Sequence, residues 1–236
     1  VNGVTLDGNK TINSTLYLTN GILSTTGSCT LAIGSSGSVS RTNGHVYGQF
    51  QKYIEASSSI SKTFEVGGAT YYAPVTLTFT TVSVAGNVAA TTADGDHTDI
   101  GNSGIDAFKS VNRNWTMTKD GELTFDNYDA VFNFDANDID GGANTSNFFV
   151  AKKDGSTWTF PTIGTRIGTS TQATSMTSMS DFQIGEKLTY IITATASSGG
   201  LITPSGAVSV NYGDNQSFTI SANTGYHIDS VVVDGV

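Results

Sequence analysis

The sequence predicts an all-β protein, and three observations lead to this prediction. Only 13% of the 236 residues are charged, whereas 27 are glycine. Apolar residues alternate with Thr, Ser and Asn over short runs that end in glycine-containing turns, which is typical of strands rather than helices. With 8 Lys and 4 Glu the chain cannot give several surface helices a charged face, so all-α and Rossmann-like α/β folds are excluded.

Residues 1–60 are expected to form a short repeat-like β element. The pattern T-L-x-(L/I)-x-x-G begins at Thr15 and recurs approximately at Thr30. Alternation places Leu16 and Leu18 on one face and Leu31 on an equivalent one. Each such unit is too thin to bury its own face. The pattern therefore predicts either stacked turns of a small parallel β-helix or a β-meander.

Residues 61–187 are expected to form a central antiparallel β-sandwich. Val75–Phe79 alternates cleanly, and the dipeptides Asp120-Gly121 and Asp154-Gly155 stand between alternating runs, as in tight hairpins. About seven strands at this spacing are typical of a sandwich. The candidate core residues are large aromatic side chains, namely Trp115, Trp158, Phe132 and Phe134.

Residues 188–236 are expected to form a small C-terminal β module. Its predicted strands are 190–196, 208–212, 218–222 and 228–233. About fifty residues with so little apolar content are marginally stable as an isolated fold.

This C-terminal part resembles the divergent internalin B-type repeats of bacterial surface proteins. The matching features are Gly199 and Gly200, Pro204, Gly206, the run V-x-Y-G-x-x-Q-x-F-x-I at 210–220 and the run G-Y-H-I-x-x-V-x-V-D-G at 225–235. Such modules are small β folds that act as spacers or adhesive units, so the resemblance implies an extracellular location, secreted or at the cell surface. The family's repeat continues past V-D-G with one or two strands. Either the chain is cut there, or another molecule supplies the missing strand.

Residues 15–186 resemble the uncharacterised β modules of large secreted proteins from environmental bacteria. Three stretches carry this resemblance, at 15–41, 103–118 and 174–186. It implies an extracellular location and no particular activity.

The charge pattern argues against two classes of partner. A net charge of -9 with scattered basic residues is unsuited to neutralising nucleic-acid phosphates. No run approaches the roughly 18 apolar residues that span a bilayer, and residues 1–10 lack the features of a signal peptide. We therefore expect neither nucleic-acid binding nor membrane insertion.

Catalytic patterns are not found in the sequence, and the prediction is a protein without enzymatic activity. His45, His97 and His227 lie far apart without zinc-ligand spacing. Gly34-Ser35-Ser36-Gly37 misses the nucleophile-elbow spacing by one position. The aspartates mostly adjoin Gly or Asn, which is typical of turns. Arg113 is interpreted as a strand-end or cation–π residue.

Two acidic clusters are the candidate metal sites. Calcium takes six to eight oxygen ligands, which loops of alternating Asp and Asn supply, whereas Asx-rich turns in solvated loops explain the same residues without a metal. The latter interpretation is favoured, and calcium is kept as the alternative cofactor. The candidate ligands are Asp135, Asn137, Asp138 and Asp140 in one cluster and Asp94, Asp96 and Asp99 in the other.

Tyr71 and Tyr72 are the candidate ligand-binding residues, as a platform on which a sugar ring stacks. On a strand, however, adjacent side chains point to opposite faces. One core ring and one rim ring is the favoured interpretation.

The sequence predicts an extracellular structural or adhesive protein, either a surface scaffold or a subunit of a self-assembling filament. Copies of the chain would join head to tail, the uncharged start of one molecule completing the C-terminal module of the next. The expected partners are further copies or other surface and matrix components. The alternative function is a carbohydrate-binding adhesin module, with calcium as a candidate cofactor. The candidate assembly residues are Val1, Val4, Leu6, Val231 and Val233.

Overall fold

The computed structural model describes residues 3–235. Strands make up almost all of its regular structure, which confirms the all-β prediction. Three short 3₁₀ helices complete it, at Ile100–Asn102, Ala136–Asp138 and Thr145–Asn147. Contacts divide the chain into two compact units, Val1–Glu186 and Lys187–Val236. Within the described range, no helix is long and apolar enough to cross a membrane.

The first eight strands build a parallel β-helix. Three sets of strands stack in parallel, β1 with β4 and β7, β2 with β5 and β8, and β3 with β6. Of the two architectures that the repeat pattern predicted, the structure therefore has the β-helix and not the meander. The strands are β1 Val4–Leu6, β2 Lys10–Ile12, β3 Thr15–Leu18, β4 Ile22–Thr25, β5 Thr30–Ile33, β6 Ser38–Arg41, β7 His45–Tyr47 and β8 Gln49–Ile54.

Polar side chains at equivalent positions connect successive coils. The Asn43 amide donates to the Asn20 side-chain oxygen at 3.2 Å, and the Thr30 hydroxyl donates to Gln49 Oε1 at 2.9 Å. Close stacking requires glycine at Gly37, where a Cβ atom would lie 2.3 Å from the carbonyl oxygen of Ile12. The frequent Asn, Thr and Gly of this segment thus serve the stacking of its coils.

Two sheets form the sandwich. One has eight strands in the order β17-β16-β20-β13-β12-β8-β5-β2, and the other has five in the order β18-β19-β15-β10-β9. A third sheet consists of the pair β11 and β14, and its Phe125 packs on Phe79 of β10 at 5.2 Å. The strands are β9 Ile60–Phe64, β10 Val75–Phe79, β11 Val82–Val84, β12 Gly86–Asp94, β13 Ile105–Lys119, β14 Thr124–Phe125, β15 Tyr128–Asn133, β16 Phe149–Asp154, β17 Thr157–Thr159, β18 Thr162–Ile167, β19 Ser170–Met176 and β20 Asp181–Lys187.

The β-helix and the sandwich share the eight-stranded sheet. Strand β8 pairs in parallel with β5 and antiparallel with β12, so one strand both continues the coil and extends the sandwich. The predicted limit at residue 60 therefore falls inside one compact unit, whereas the predicted start at 188 lies beside the division at Glu186.

The sandwich core is aromatic, as predicted, with one exception. Trp115 and Phe132 are fully buried and Phe134 is 4% exposed; the rings of Trp115 and Phe132 meet edge to face at 5.3 Å. The prediction for Trp158 is wrong, because this residue is only partly buried. It lies on β17, the three-residue edge strand of the large sheet, where a large side chain cannot be covered by neighbouring strands.

The second unit consists of two strand pairs, β21 with β23 and β22 with β24. These strands are β21 Thr189–Ala194, β22 Gly200–Thr203, β23 Gly206–Asn211 and β24 Thr219–Ala222. The predicted strand at 228–233 is not formed, since residues 223–235 contain no strand. Of the described hydrophobic side chains in this unit, Ala194 is the buried one.

Candidate functional site

The two acidic clusters meet beside a fully buried arginine. Arg113 on β13 is 0% exposed, and its Nε and Nη2 donate to the Asp138 carboxylate at 2.8 and 3.2 Å. Nη2 also donates to Asp94 Oδ1 at 2.7 Å, and Nη1 lies 3.4 Å from the Thr92 hydroxyl. A buried guanidinium needs such paired acceptors because an uncompensated charge is expensive in a low-dielectric interior. We call Arg113, Thr92, Asp94 and Asp138 the Arg113 cluster.

The register of β12 and β13 builds half of this cluster. Asp94 lies opposite Arg113 in the antiparallel ladder. Asp138 comes from a 3₁₀ helix that Asp135 caps, since the Asp135 carboxylate accepts the Asn137 amide N–H at 2.9 Å. Arg113 is therefore a buried ion-pair residue, and its interpretation as a strand-end or cation–π residue is wrong.

Asp94 also positions the segment 67–72. Its Oδ2 accepts the Ala69 amide at 3.2 Å, and a Cβ atom on Gly68 would lie 1.9 Å from Asp94 Oδ1, so this approach requires glycine. The Gly68 carbonyl is 2.8 Å from His45 Nε2 on β7. Burial lowers the pKa of His45, so the neutral ring is favoured and its Nε2–H donates to that carbonyl. These contacts tie the β-helix to the Arg113 cluster.

Asp96 and Asp140 share one hydroxyl group. Ser110 Oγ lies 2.8 Å from Asp96 Oδ1 and 3.2 Å from Asp140 Oδ2, while the Asn112 side-chain amide donates to Asp140 Oδ1 at 2.7 Å. A hydroxyl has one proton to donate, so the two carboxylates compete for it. Burial and the nearby Asp140 carboxylate raise the pKa of Asp96, although the Ser110 hydrogen bond opposes this effect.

Asp99 holds the partly buried Trp158. Its Oδ2 accepts the indole N–H at 3.0 Å and lies 2.8 Å from Lys153 Nζ. The Lys153, Asn102 and Trp158 hydrogen bonds hold the pKa of Asp99 far below its usual value. His97 packs edge to face on the indole at 5.0 Å. Asp99 therefore connects the loop after β12 to the β16–β17 hairpin.

The structure thus brings the predicted metal ligands together but directs their oxygens to protein donors. Asp94 and Asp138 face Arg113, Asp96 and Asp140 face Ser110, and Asp99 faces Lys153, as the distances above show. Asp135 and Asn137 are used in capping. Among residues 3–235, no group of three or more His, Cys, Asp or Glu side chains is arranged to hold a metal ion.

We expect calcium to leave the melting temperature unchanged. A cation at Asp94, Asp138 or Asp99 would have to displace Arg113 or Lys153, which already supply a positive charge there. At Asp96 and Asp140 it would have to displace the hydrogen bonds from Ser110. Melting curves with calcium chloride and with EGTA measure the effect. An increase of several degrees in calcium would contradict the expectation, since binding to the folded state alone raises its stability.

We expect Asp96→Asn to increase stability at neutral pH and to lose that advantage in acid. The raised pKa means that the folded protein binds the Asp96 proton more tightly than the unfolded chain does, so the wild type gains relative stability as the pH falls through the raised pKa towards 3.8. The effect should stay below about 1 kcal/mol because the carboxyl is partly solvated. Urea unfolding between neutral pH and pH 4 tests this, and a variant that is less stable at neutral pH would contradict it.

Tyr71 and Tyr72 lie in a loop, where Arg41 covers one face of the Tyr72 ring. Both are partly buried and lie outside the strands, with Tyr72 in an isolated bridge to Gly67. The Arg41 guanidinium carbon lies 3.4 Å from the centroid of the Tyr72 ring, so Arg41 occupies one ring face. The expectation that the pair lies on a strand, with one ring inward and one outward, is therefore wrong.

The predicted assembly residues lie in two different settings. Val4 and Leu6 belong to β1 and pair with β4, so residues 4–6 are part of the β-helix and do not form a free strand. Val4 is 61% exposed, whereas Leu6 packs against the core. Val231 and Val233 are 58% and 65% exposed, outside any strand. Val1 lies outside the described residues.

Sequence reasoning missed the ionic pairs of the β8–β9 region. Lys52 Nζ lies 2.6 Å from Glu65 Oε2, and both side chains are about nine-tenths buried. The signal was present, because Lys52 occupies an inward position of the alternating run Phe50, Lys52, Ile54. A lysine at a core position of a strand indicates a buried partner.

Comparison with known proteins assigns no role to these residues. No protein-family model matches the chain, and neither the curated proteins nor the solved structures include a significant match. The contacts described above are therefore the basis on which a function is proposed.

Proposed function

We propose that the chain is an extracellular structural or adhesive protein, a surface scaffold or filament subunit whose copies join by strand addition. The observation that carries this proposal is the apolar surface of the second unit. Ala194 is its buried hydrophobic residue among those described, whereas ten large hydrophobic side chains are at least 39% exposed. They are Tyr190, Ile191, Ile192, Leu201, Tyr212, Tyr226, Ile228, Val231, Val232 and Val233.

A unit of this size gains little stability while its apolar side chains remain in water. Ordering each residue costs about 1–2 kcal/mol of conformational entropy, and burial of a large aliphatic side chain contributes about 1.5–3 kcal/mol. Covering the exposed side chains would supply that contribution. The resemblance of residues 190–236 to internalin B-type repeats supports an adhesive role and an extracellular setting.

The contacts favour a donor strand from residues 228–233 and not from residues 1–6, which the sequence predicted. Within the expected donor, residues 4–6 are already hydrogen-bonded as β1. Segment 228–233 is instead apolar, exposed and outside any strand. Strand β1 is the edge of its sheet and exposes Val4. We therefore assign segment 228–233 of one copy as the donor and the outer edge of β1 in the next copy as the acceptor. Because this contact joins two different surfaces, it propagates into a filament.

Light scattering and electron microscopy of the full chain across a concentration series test this proposal. The wild type should assemble, whereas Val231→Asp with Val233→Asp, or Val4→Asp alone, should remain monomeric. Val84→Asp is the matched control, because Val84 is 49% exposed on β11 and belongs to neither segment; it should assemble like the wild type. A monomeric wild type at high concentration, or assembly of all variants alike, would refute strand addition.

A further inference from the structure

A cavity opens between the turn that follows β5 and the strands β8 and β9. Its volume is about 240 Å³. One wall is the turn 33–39 between β5 and β6, and the other is formed by β8 and β9. The lining residues that concern binding are Ser35, Ser38, Lys52, Tyr53, Glu55 and Lys62.

Two ion pairs set the electrostatics of this cavity. Lys52 is paired with Glu65 at 2.6 Å in the interior, and Lys62 is paired with Glu55 at 2.9 Å nearer to solvent. The Lys52 ammonium also lies 5.2 Å from the centroid of the Phe50 ring. Each ammonium is thus neutralised by a carboxylate, and the formal charge of the four side chains sums to zero. The site is therefore unsuited to a free anion or cation, both of which would break an existing pair.

Core packing does not explain the inner pair. Replacing a buried ion pair by apolar side chains of similar size is often neutral or stabilising, because desolvation offsets the mutual attraction of the charges. Lys52 nevertheless occupies an inward position between Phe50 and Ile54, and its burial lowers its pKa against the opposing effect of Glu65. A charged side chain that is buried beside a cavity in spite of its desolvation free energy is typical of a binding site.

We propose that this cavity binds a neutral polyhydroxylated ligand, a single sugar ring of hexose size. Lys52, Lys62 and Glu55 line the cavity and offer two donors and an acceptor, which match vicinal hydroxyl groups. Ser35 adds a hydroxyl group that both donates and accepts, while the Ser38 hydroxyl lies 3.0 Å from Thr15 Oγ1. Tyr53, Ile33 and Val39 supply the apolar part of the lining for the C–H face of the ring. The proposal is independent of strand addition, since the cavity lies wholly within residues 33–62.

Chemical-shift mapping of the full chain with millimolar glucose, galactose, mannose and N-acetylglucosamine tests the site. At least one sugar should shift the amide signals of the turn 33–39 and of β8. Lys62→Met and Tyr53→Ala should each weaken that binding tenfold or more, and both positions are at least partly exposed, so the fold is expected to persist. Tyr17→Ala is the matched control, because Tyr17 is 72% exposed on β3; it should bind like the wild type.

Three results would overturn the proposal. The first is the absence of shifts with every sugar of the panel. The second is a set of shifts outside the cavity lining, or an equal loss of binding in Tyr17→Ala. The third is a stronger response of the same amides to inorganic phosphate or acetate than to any sugar, which would show an anion site instead.

Discussion

Arg113→Met is expected to destabilise the first unit by about 3–5 kcal/mol, the usual loss when one partner of a buried ion pair is removed. Methionine fills most of the volume of arginine but leaves the Asp138 carboxylate, whose side chain is 8% exposed, without its cation. Asp94 loses its bond to Nη2 as well. Urea unfolding at neutral pH, followed by circular dichroism, measures the change.

The double variant Arg113→Met with Asp138→Asn separates the charge effect from packing. Neutralising Asp138 removes the uncompensated charge while keeping an oxygen that accepts hydrogen bonds, so the double variant should be more stable than Arg113→Met alone. Arg113→Lys should be intermediate, because an ammonium cannot reach Asp138 and Asp94 with the geometry of a guanidinium. A free energy of unfolding for Arg113→Met within about 0.5 kcal/mol of the wild-type value would contradict the assigned role of Arg113.

Trp115→Ala is expected to cost about 3–5 kcal/mol through the cavity that it leaves. Trp115 is fully buried, contacts Phe132 and donates its indole N–H to the Ala73 carbonyl at 3.1 Å. Trp115→Phe should lose less, about 1–3 kcal/mol, since it keeps most of the packing but leaves that carbonyl without its donor. Thermal and urea unfolding measure both variants.

The second tryptophan of the chain is the control for this prediction. Trp158 is partly exposed on an edge strand, and Trp158→Ala should cost about 1 kcal/mol, the value of the lost Asp99 hydrogen bond and partial packing. Equal losses for Trp115→Ala and Trp158→Ala would show that the core is not centred on Trp115.

Two identical Asp-Gly dipeptides were predicted to form hairpins, and only one of them connects two paired strands. Asp154-Gly155 connects β16 and β17 in a hairpin, with Gly155 at φ 61°. Asp120-Gly121 does not, because β14 pairs with β11 and not with β13. The Asp120 carboxylate there accepts N–H groups from Asn87 and Leu123 at 2.8 and 3.1 Å. The hydrogen bond from Asn87, 33 positions away in the chain, thus holds Asp120 in a turn that does not connect two paired strands.

The first sixty residues illustrate an ambiguity that alternation alone cannot resolve. Every strand of a β-helix and of a meander shows the same period of two. The two architectures differ in which strands are neighbours in the sheet. In the structure Val4 pairs with Leu23 and Ile22 with His45, both in parallel. Such offsets, near twenty residues, are the length of one coil. They are visible in a sequence only when the repeat is regular, and here it recurs approximately.

For the candidate sites, too, the sequence predicted the residues but not their partners. The acidic loops, the tyrosine pair and the exposed valines could each be found by residue type. Their partners could not, because Arg113 lies 19 positions from Asp94 and 25 from Asp138, on strands whose register is set by packing. The cavity beside Lys52 is likewise formed by two segments, 33–39 and 52–62, that the sequence keeps apart.

The sequence by itself determined that the protein is all-β and which positions of β10 are buried, since Val75, Leu77 and Phe79 alternate and are all fully buried. Such information is local, because a pleated strand exposes and buries successive side chains whatever its neighbours are. Tertiary structure alone decided which carboxylate meets which cation, where the cavity opens and that segment 228–233 remains outside the sheets. These outcomes depend on electrostatic and packing energies between residues distant in the chain, which no local period encodes.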